Sequence, residues 1–405
     1  MLECVVIGAG QAGLATSYHL TRLGVEHLVL ERSRVAETWR AARWDSFCLN
    51  TPNWCTQLPG LDALDEPDAF APLADVISLL TSYADHIGAP VRSTAAVTAL
   101  RRRGAGFELT VGDDAVLARS VVVATGAFQR PTTAPAAANV PEGIVPIHAA
   151  DYRRPTDIPE GGVLVVGSGQ SGCEIGQELL ESGRPVHLAI GRCGWAPRRY
   201  RGRELMRWMV DVGLMNDTSA VLPSTKTRIA GNVAVSGSRG GRDCNPLVLE
   251  AAGAKLYGRL VGFDGARALF ADDLAASLDF GLAFERDLRR RFDAWAEKAE
   301  LDLPEHPGSD VRPARESATE LALARAGIST VLWASGYRPA FGWIDVPIID
   351  DLGFPLATRG VTDVPGLTFV GLPWLYTRKS PLLLGVGEDA EHIAQATAAH
   401  LAGGA

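Results

Sequence analysis

The 405-residue chain carries a formal net charge of −8, a size that suits two or three domains and a charge that argues against a nucleic-acid or anionic-membrane partner. No apolar stretch reaches the ~18 residues a membrane span requires, and the first strand begins by about Val5, too early for a signal peptide, so a cytoplasmic protein is expected. The cysteines Cys4, Cys48, Cys55, Cys173, Cys193 and Cys244 show neither paired spacing nor CxxC, which leaves a disulfide framework, a metal site and a dithiol redox centre without support.

The first element is the apolar run Val5-Val6-Ile7, followed by Gly8-Ala9-Gly10-Gln11-Ala12-Gly13 and a stretch with helical periodicity. A strand, a GxGxxG turn and a helix make a pyrophosphate cradle. The first glycine permits the tight turn, the second lets phosphate approach the backbone, and the third lets the helix pack close to the strand. Glu31 ends the next apolar run, His27 to Leu30, where a carboxylate accepts hydrogen bonds from adenosine ribose, the pattern of FAD. A polar, tryptophan-bearing region from Thr38 to Gly60 follows, then an amphipathic helix near Leu73 to Ile87. Segments from Val91 to Leu117 alternate like a small antiparallel meander. They lead to Ser120-Val121-Val122-Val123-Ala124-Thr125-Gly126, a buried strand whose end must pass close to other backbone. The Pro/Ala-rich stretch Pro131 to Pro146 marks a domain crossing.

A second cradle begins near Gly162, with Leu164-Val165-Val166 running into Gly167-Ser168-Gly169-Gln170-Ser171-Gly172. Here the run Val186 to Ile190 ends in Gly191-Arg192 with no acid, and Arg198, Arg199 and Arg201 follow. A guanidinium at this place clamps a 2′-phosphate, the pattern of NADPH, although a solvated loop arginine reads the same way. The Gly/Ser/Arg-rich segment Ile229 to Asn245 is long for an inert connection and is expected to be a substrate-side lid. A charged helix, Phe284 to Leu301, is expected to face solvent. The strand end at Thr330 to Pro339 mirrors that at Ala124. A last buried strand, Gly366 to Gly371, and a helix from Gly387 to Leu401 return the chain to the first domain. The expected fold is α/β with two Rossmann-like domains, the NADPH domain (151–335) inserted in a discontinuous FAD domain (1–150 and 336–405).

Together these motifs resemble the class B flavoprotein monooxygenases, which include flavin-containing monooxygenases, Baeyer–Villiger monooxygenases and N-hydroxylases. The resemblance rests on both fingerprints, Glu31, Glu37-Thr38-Trp39-Arg40, Ala124-Thr125-Gly126, Ala334-Ser335-Gly336-Tyr337 and Gly385 to Ala390, and it spans essentially the whole chain. Arg43 to Phe47 with Thr51 to Trp54 look most similar to bacterial flavoproteins often labelled as involved in potassium transport. The resemblance implies that NADPH reduces FAD, that reduced flavin combines with O2, and that a C4a-(hydro)peroxyflavin oxygenates a small molecule. The protein's part is to position the rings and exclude water. It also implies cofactor contacts at Arg32, Thr38, Trp39, Arg40, Asn50, Thr51, Val97, Ala124, Thr125 and Gly126 in the first part of the chain, and at Ser335, Gly336, Tyr337, Gly387 and Asp389 later.

Asn50 occupies the place where flavin-containing monooxygenases carry an asparagine close to the flavin, and it is the candidate catalytic residue. Asn50-Thr51-Pro52-Asn53 is equally good turn chemistry. His148 and Tyr152 match the second half of the family signature FxGxxxHxxxY, while Glu142 and Ile144 stand where its phenylalanine and glycine belong. His148 is expected to pack between domains, and Tyr152, where Baeyer–Villiger enzymes tend to have tryptophan, favours oxygenation of a soft nitrogen or sulfur over that of a ketone or aldehyde. The final helix should turn its N-terminal amides toward the flavin N1 and C2=O, with Asp389 beside it or serving as N-cap. Trp54, Trp195, Trp208, Trp374 and Tyr376 are candidates for a substrate pocket or for core. A disulfide reductase shares the two-cradle plan but lacks support without CxxC. A homodimer is left open.

Overall fold

The computed structural model describes residues 1–229, 233–306 and 317–403. In chain order its principal elements begin with β1 (Leu2–Ile7), α1 (Gln11–Arg22) and β2 (His27–Leu30), then α2 (Glu37–Ala41), α3 (Leu73–His86) and β3 (Val91–Arg92). The strands β4 (Val97–Arg103), β5 (Gly106–Val111) and β6 (Asp114–Val123) follow. A second set comprises β7 (Val145–His148), β8 (Gly162–Val166), α4 (Gln170–Glu181), β9 (Val186–Ala189), β10 (Lys255–Tyr257), α5 (Leu274–Lys298) and β11 (Ile328–Trp333). The chain closes with β12 (Ile344–Asp345), β13 (Leu367–Phe369) and α6 (Val386–Gly403). Among the described residues no helix is long and apolar enough to cross a membrane.

Strand β6 organises the first sheet. Its outer half pairs antiparallel with β5, and its inner half lies parallel between β1 and β13. The meander and the buried strand read separately from the sequence are therefore one continuous strand. Val91–Arg92 does not belong to the meander, because β3 pairs parallel with β2 at the opposite edge. The run Val121–Val122–Val123 is apolar on both faces because α1 and α6 cover one side and the meander the other.

The second sheet is parallel throughout, in the order β10-β9-β8-β11-β7. Its edge strand β7 lies upstream of Gly162, so this unit starts earlier than expected, and the sheets change over ahead of Val145. Strands β12 and β13 return to the first sheet, on β4 and β6. The second sheet is thus inserted between two parts of the first. Both crossings run side by side: Arg130–Pro131 pairs antiparallel with Tyr337–Arg338, and Thr132 and Ser335 exchange side-chain-to-carbonyl bonds at 2.9 and 2.5 Å.

Helix α5 starts ten residues before the charged run suggested and is not uniformly solvated. Glu285 is buried and accepts from Trp195 Nε1 at 2.8 Å. Gly281, one turn earlier, lets the Trp195 ring lie against the helix, where any Cβ would collide with it.

Candidate functional site

The two turns repeat one backbone scheme. Gly8 and Gly167 have φ of 106° and 113°, in the region that favours glycine. A Cβ on either would press on the next strand end, 2.9 Å from Ala124 O or 2.5 Å from Ala334 O. Gly8 N donates to Leu30 O and Gly167 N to Ala189 O, at 2.8 and 3.0 Å. Beyond them, Gly10 and Gly169 face open space, with nothing within 4 Å of a built Cβ. The first-turn amides of α1 and α4, which have no partners inside their helices, face the same openings. Each turn therefore fits a dinucleotide pyrophosphate, which needs unobstructed backbone and uncommitted amide donors.

Around the first cradle, the buried Glu31 carboxylate accepts from Ala9 N at 2.8 Å and Ser33 N at 3.0 Å. It braces the turn and keeps further lone pairs for a diol. Trp39 Nε1 donates to Gln11 Oε1 at 3.1 Å, and Gln11 Nε2 to Pro381 O at 3.2 Å, so the α2 loop and the C-terminal segment meet over the fingerprint. Arg32 and Thr38 are exposed beside it, and Thr51 and Val97 are half-buried. Arg40 is committed elsewhere, to Val35 O and Thr81 on α3. Gln129 bonds Thr125 Oγ1 and Gly126 O, fixing the end of β6.

Asp389 lies inside the first turn of α6, not at its cap. It is 2% exposed, its Oδ1 stands 3.6 Å from Arg359 Nε, and its Oδ2 has no partner. Burial raises its pKa, opposed by Ser380 and Arg359. An orphaned carboxyl oxygen behind the helix N-terminus suits a hydroxyl-bearing ligand chain.

The second cradle is lined differently. Ser168 Oγ donates to Gly191 O at 3.3 Å, and Arg192 follows, exposed and with no hydrogen bond or ion pair to any described residue. The other arginines of this stretch are not available to a phosphate. Arg198 is 1% exposed, stacked on Phe70 and paired with Glu204 at 2.6 Å. Arg199 donates to the carbonyls of Gly240 and Gly241, and Arg201 to Asp293, Leu303 and Pro304. Glu204, at the end of the same run, and Phe70, remote in sequence, draw Arg198 inward.

Asn50, on a loop of the first unit, is held by the second. Its carbonyl accepts from Arg198 Nη1 at 2.7 Å, and its Oδ1 faces Gly237 N at 3.4 Å. Gly237 belongs to the segment read as a lid, of which residues 230–232 lie outside the described residues. Gln170 of the second fingerprint pairs with Val235 N and O like a short strand, and a Cβ on Gly237 would collide with Leu49 O. Glu174, which the sequence reading missed, is 7% exposed. Burial pushes it up to about 7, against the side chains of Gln170, Ser236 and Asn50 and the charge of Arg43. Its spacing from Gln170, one helical turn on the same face, was the available signal. A cleft of about 430 Å³ opens here, lined by Trp44, Phe47, Cys48, Glu174, Ser236 and Arg242.

His148, at the end of β7, is buried between units as expected, with Tyr337 edge-on at 5.2 Å and Nδ1 accepting from Ala150 N. Trp195 and Trp208 are core, Trp208 stacking on Phe292 at 5.1 Å. Trp54 and Trp374 carry Arg207 and Arg378 on their faces, and Tyr376 is exposed under Arg359.

The sequence pattern of the pyridine nucleotide-disulphide oxidoreductase family matches residues 5–210. An uncharacterized CzcO-like oxidoreductase of Geobacillus kaustophilus is 29% identical over 397 residues, 97% of each chain. A probable indole-3-pyruvate monooxygenase of Arabidopsis thaliana, YUCCA1, is 32% identical over 192 residues, 46% of each. The solved flavin-containing monooxygenase of Stenotrophomonas maltophilia shares the fold over 98% of both chains, with a TM-score of 0.67 at 19% identity. On this match, which spans just over half of the chain, and the paired cradles, the chain belongs to the pyridine nucleotide-disulphide oxidoreductase family.

Proposed function

We propose that the chain holds FAD at the Gly8 cradle and NADPH at the Gly167 cradle, and that it passes one oxygen atom of O2 to a soft nitrogen or sulfur centre of a small molecule. Bound FAD supplies the redox chemistry, accepting hydride from NADPH and activating O2. The chain's own residues bind, orient and shield. Glu31 accepts from the adenosine ribose, Arg192 pairs with the 2′-phosphate, and the α6 amides with Asp389 hold the far end of the flavin.

The observation that carries this reading is the clamp on Asn50, a residue of the first unit whose backbone carbonyl and side chain are held by Arg198 and Gly237 of the second. A neutral amide at that point donates a hydrogen bond to reduced oxygen without giving up a proton. Trp44 and Phe47 give the cleft an apolar wall that suits a small organic substrate.

The test is to supply purified, flavin-loaded protein with NADPH under air and an amine, a thioether and a ketone in turn. Expected are oxygen uptake and an N- or S-oxide, with the ketone recovered. An ester from the ketone favours the Baeyer–Villiger alternative, and reduction of a disulfide without oxygen uptake overturns oxygenation altogether.

A further inference from the structure

Helix α4 turns a row of side chains toward the flavin-side loop and the lid-like segment, and all but one of its carboxylates are occupied. Glu178 accepts from Ser46 Oγ at 2.6 Å and from Tyr152 OH at 2.7 Å. Glu181 pairs with Arg239 and Arg242. Glu174, between them and Gln170, is more than nine-tenths buried, lines the cleft, and keeps Oε2 without a partner.

Asn50 is the neighbour that can use it. Gly237 N–H can only donate, so the amide oxygen of Asn50 must face it and the two Nδ2 hydrogens must point elsewhere. The Glu174 carboxyl, buried with Oε2 unpartnered, interacts with the side chains of Asn50, Gln170 and Ser236. Gln170 is already engaged through both its amide atoms with Val235, and Ser236 Oγ bonds Ser238 Oγ at 3.0 Å.

We propose that Glu174 is the positioning residue for Asn50: its buried carboxylate accepts one Nδ2 hydrogen, fixes the amide against rotation, and leaves a single N–H for the oxygenation site. This rests on the role given to Asn50 above. A charge-assisted bond holds an amide more firmly than a neutral one, so the orientation belongs to the ionised carboxyl. Because burial pushes Glu174 up to about 7, it is protonated below that pH and charged above it, and the hold on Asn50 strengthens as pH rises through about 7. The other groups facing this spot are Arg43 and Cys48 from the flavin-side loop and Cys244 and Arg242 from the lid-like segment.

The test uses holoenzyme with FAD and NADP+ bound and reads two things: the pH dependence of the oxidised flavin spectrum, which needs no turnover, and hydrogen peroxide released per NADPH. Wild type should show a spectral step centred near pH 7. Glu174→Gln and Asn50→Ala should each abolish it, and Glu174→Asp, the variant that guards against a folding failure, should keep a displaced step. Peroxide release should rise roughly tenfold in Glu174→Gln and in Asn50→Ala, with no further rise in the double variant. A step that survives Glu174→Gln, or one lost there but intact in Asn50→Ala, overturns the proposal. Loss of the step in both variants with unchanged peroxide release in Asn50→Ala upholds the positioning and removes only the oxygenation role of Asn50.

Discussion

Around Gly8 and around Gly167 the same backbone bonds recur, yet what covers the two turns is different in kind. Over the first lie parts of the same sheet unit: α6 packs along α1, and the end of β13 comes so close that a Cβ on Gly371 would collide with Ala12. Over the second lies a segment whose described part is mostly irregular and is held by polar side chains: Gln170 and Asn50, Arg199 on the carbonyls of Gly240 and Gly241, and Glu181 on Arg239 and Arg242. The glycine turn supplies a site for pyrophosphate in both places, and the cover decides how permanently the site is closed. A cover made of core suits a cofactor that stays, and a cover made of a few hydrogen bonds suits one that must come and go.

The largest effect that can break this comparison is expected from alanine at the third glycine of each turn. A Cβ at Gly13 or Gly172 would collide with the carbonyl of Gly8 or Gly167, so each helix must shift, at a cost of about 1–3 kcal/mol or more. Gly13→Ala should give colourless, poorly folded protein, and Gly172→Ala a yellow protein that no longer takes up NADPH. Absorbance after desalting checks the first and calorimetry with NADPH the second, and the reverse result would sink the assignment of the two cradles. Next in size, Arg192→Ala should weaken NADPH about 10- to 100-fold while leaving NADH unchanged, as befits a lost charge-assisted pair. Steady-state KM for the two nucleotides reads this directly, and equal losses would mean that Arg192 does not sense the 2′-phosphate. The smallest change is expected for Glu31→Gln, which keeps one acceptor for Ala9 N. Flavin affinity should fall only about fivefold, visible by fluorescence on dilution.

Both strand–turn–helix units were legible in the sequence because their signals are local: apolar runs, glycines at fixed spacing, an acid at a strand end. The same holds for the terminal helix and for the buried ends of β6 and β11. What could not be read were the places where distant segments decide a side chain's fate. Arg198 looks like part of an exposed basic run and is buried because Glu204, Phe70 and the Asn50 carbonyl converge on it. Glu285 reads as one more charge on a solvated helix until Trp195 folds over Gly281 to meet it. Glu174 sits one turn past a fingerprint whose glycines draw all the notice, and only the approach of Asn50 and Ser236 gives it a task.

The paired crossings at Arg130–Pro131 and Tyr337–Arg338 form a ribbon in which the outgoing and returning chain are stitched together. A ribbon of this kind ties the inserted unit to the first sheet along one line. The same stitch brings the two splice points together, so that a whole nucleotide-binding module could be exchanged between ancestors without disturbing the sheet on either side.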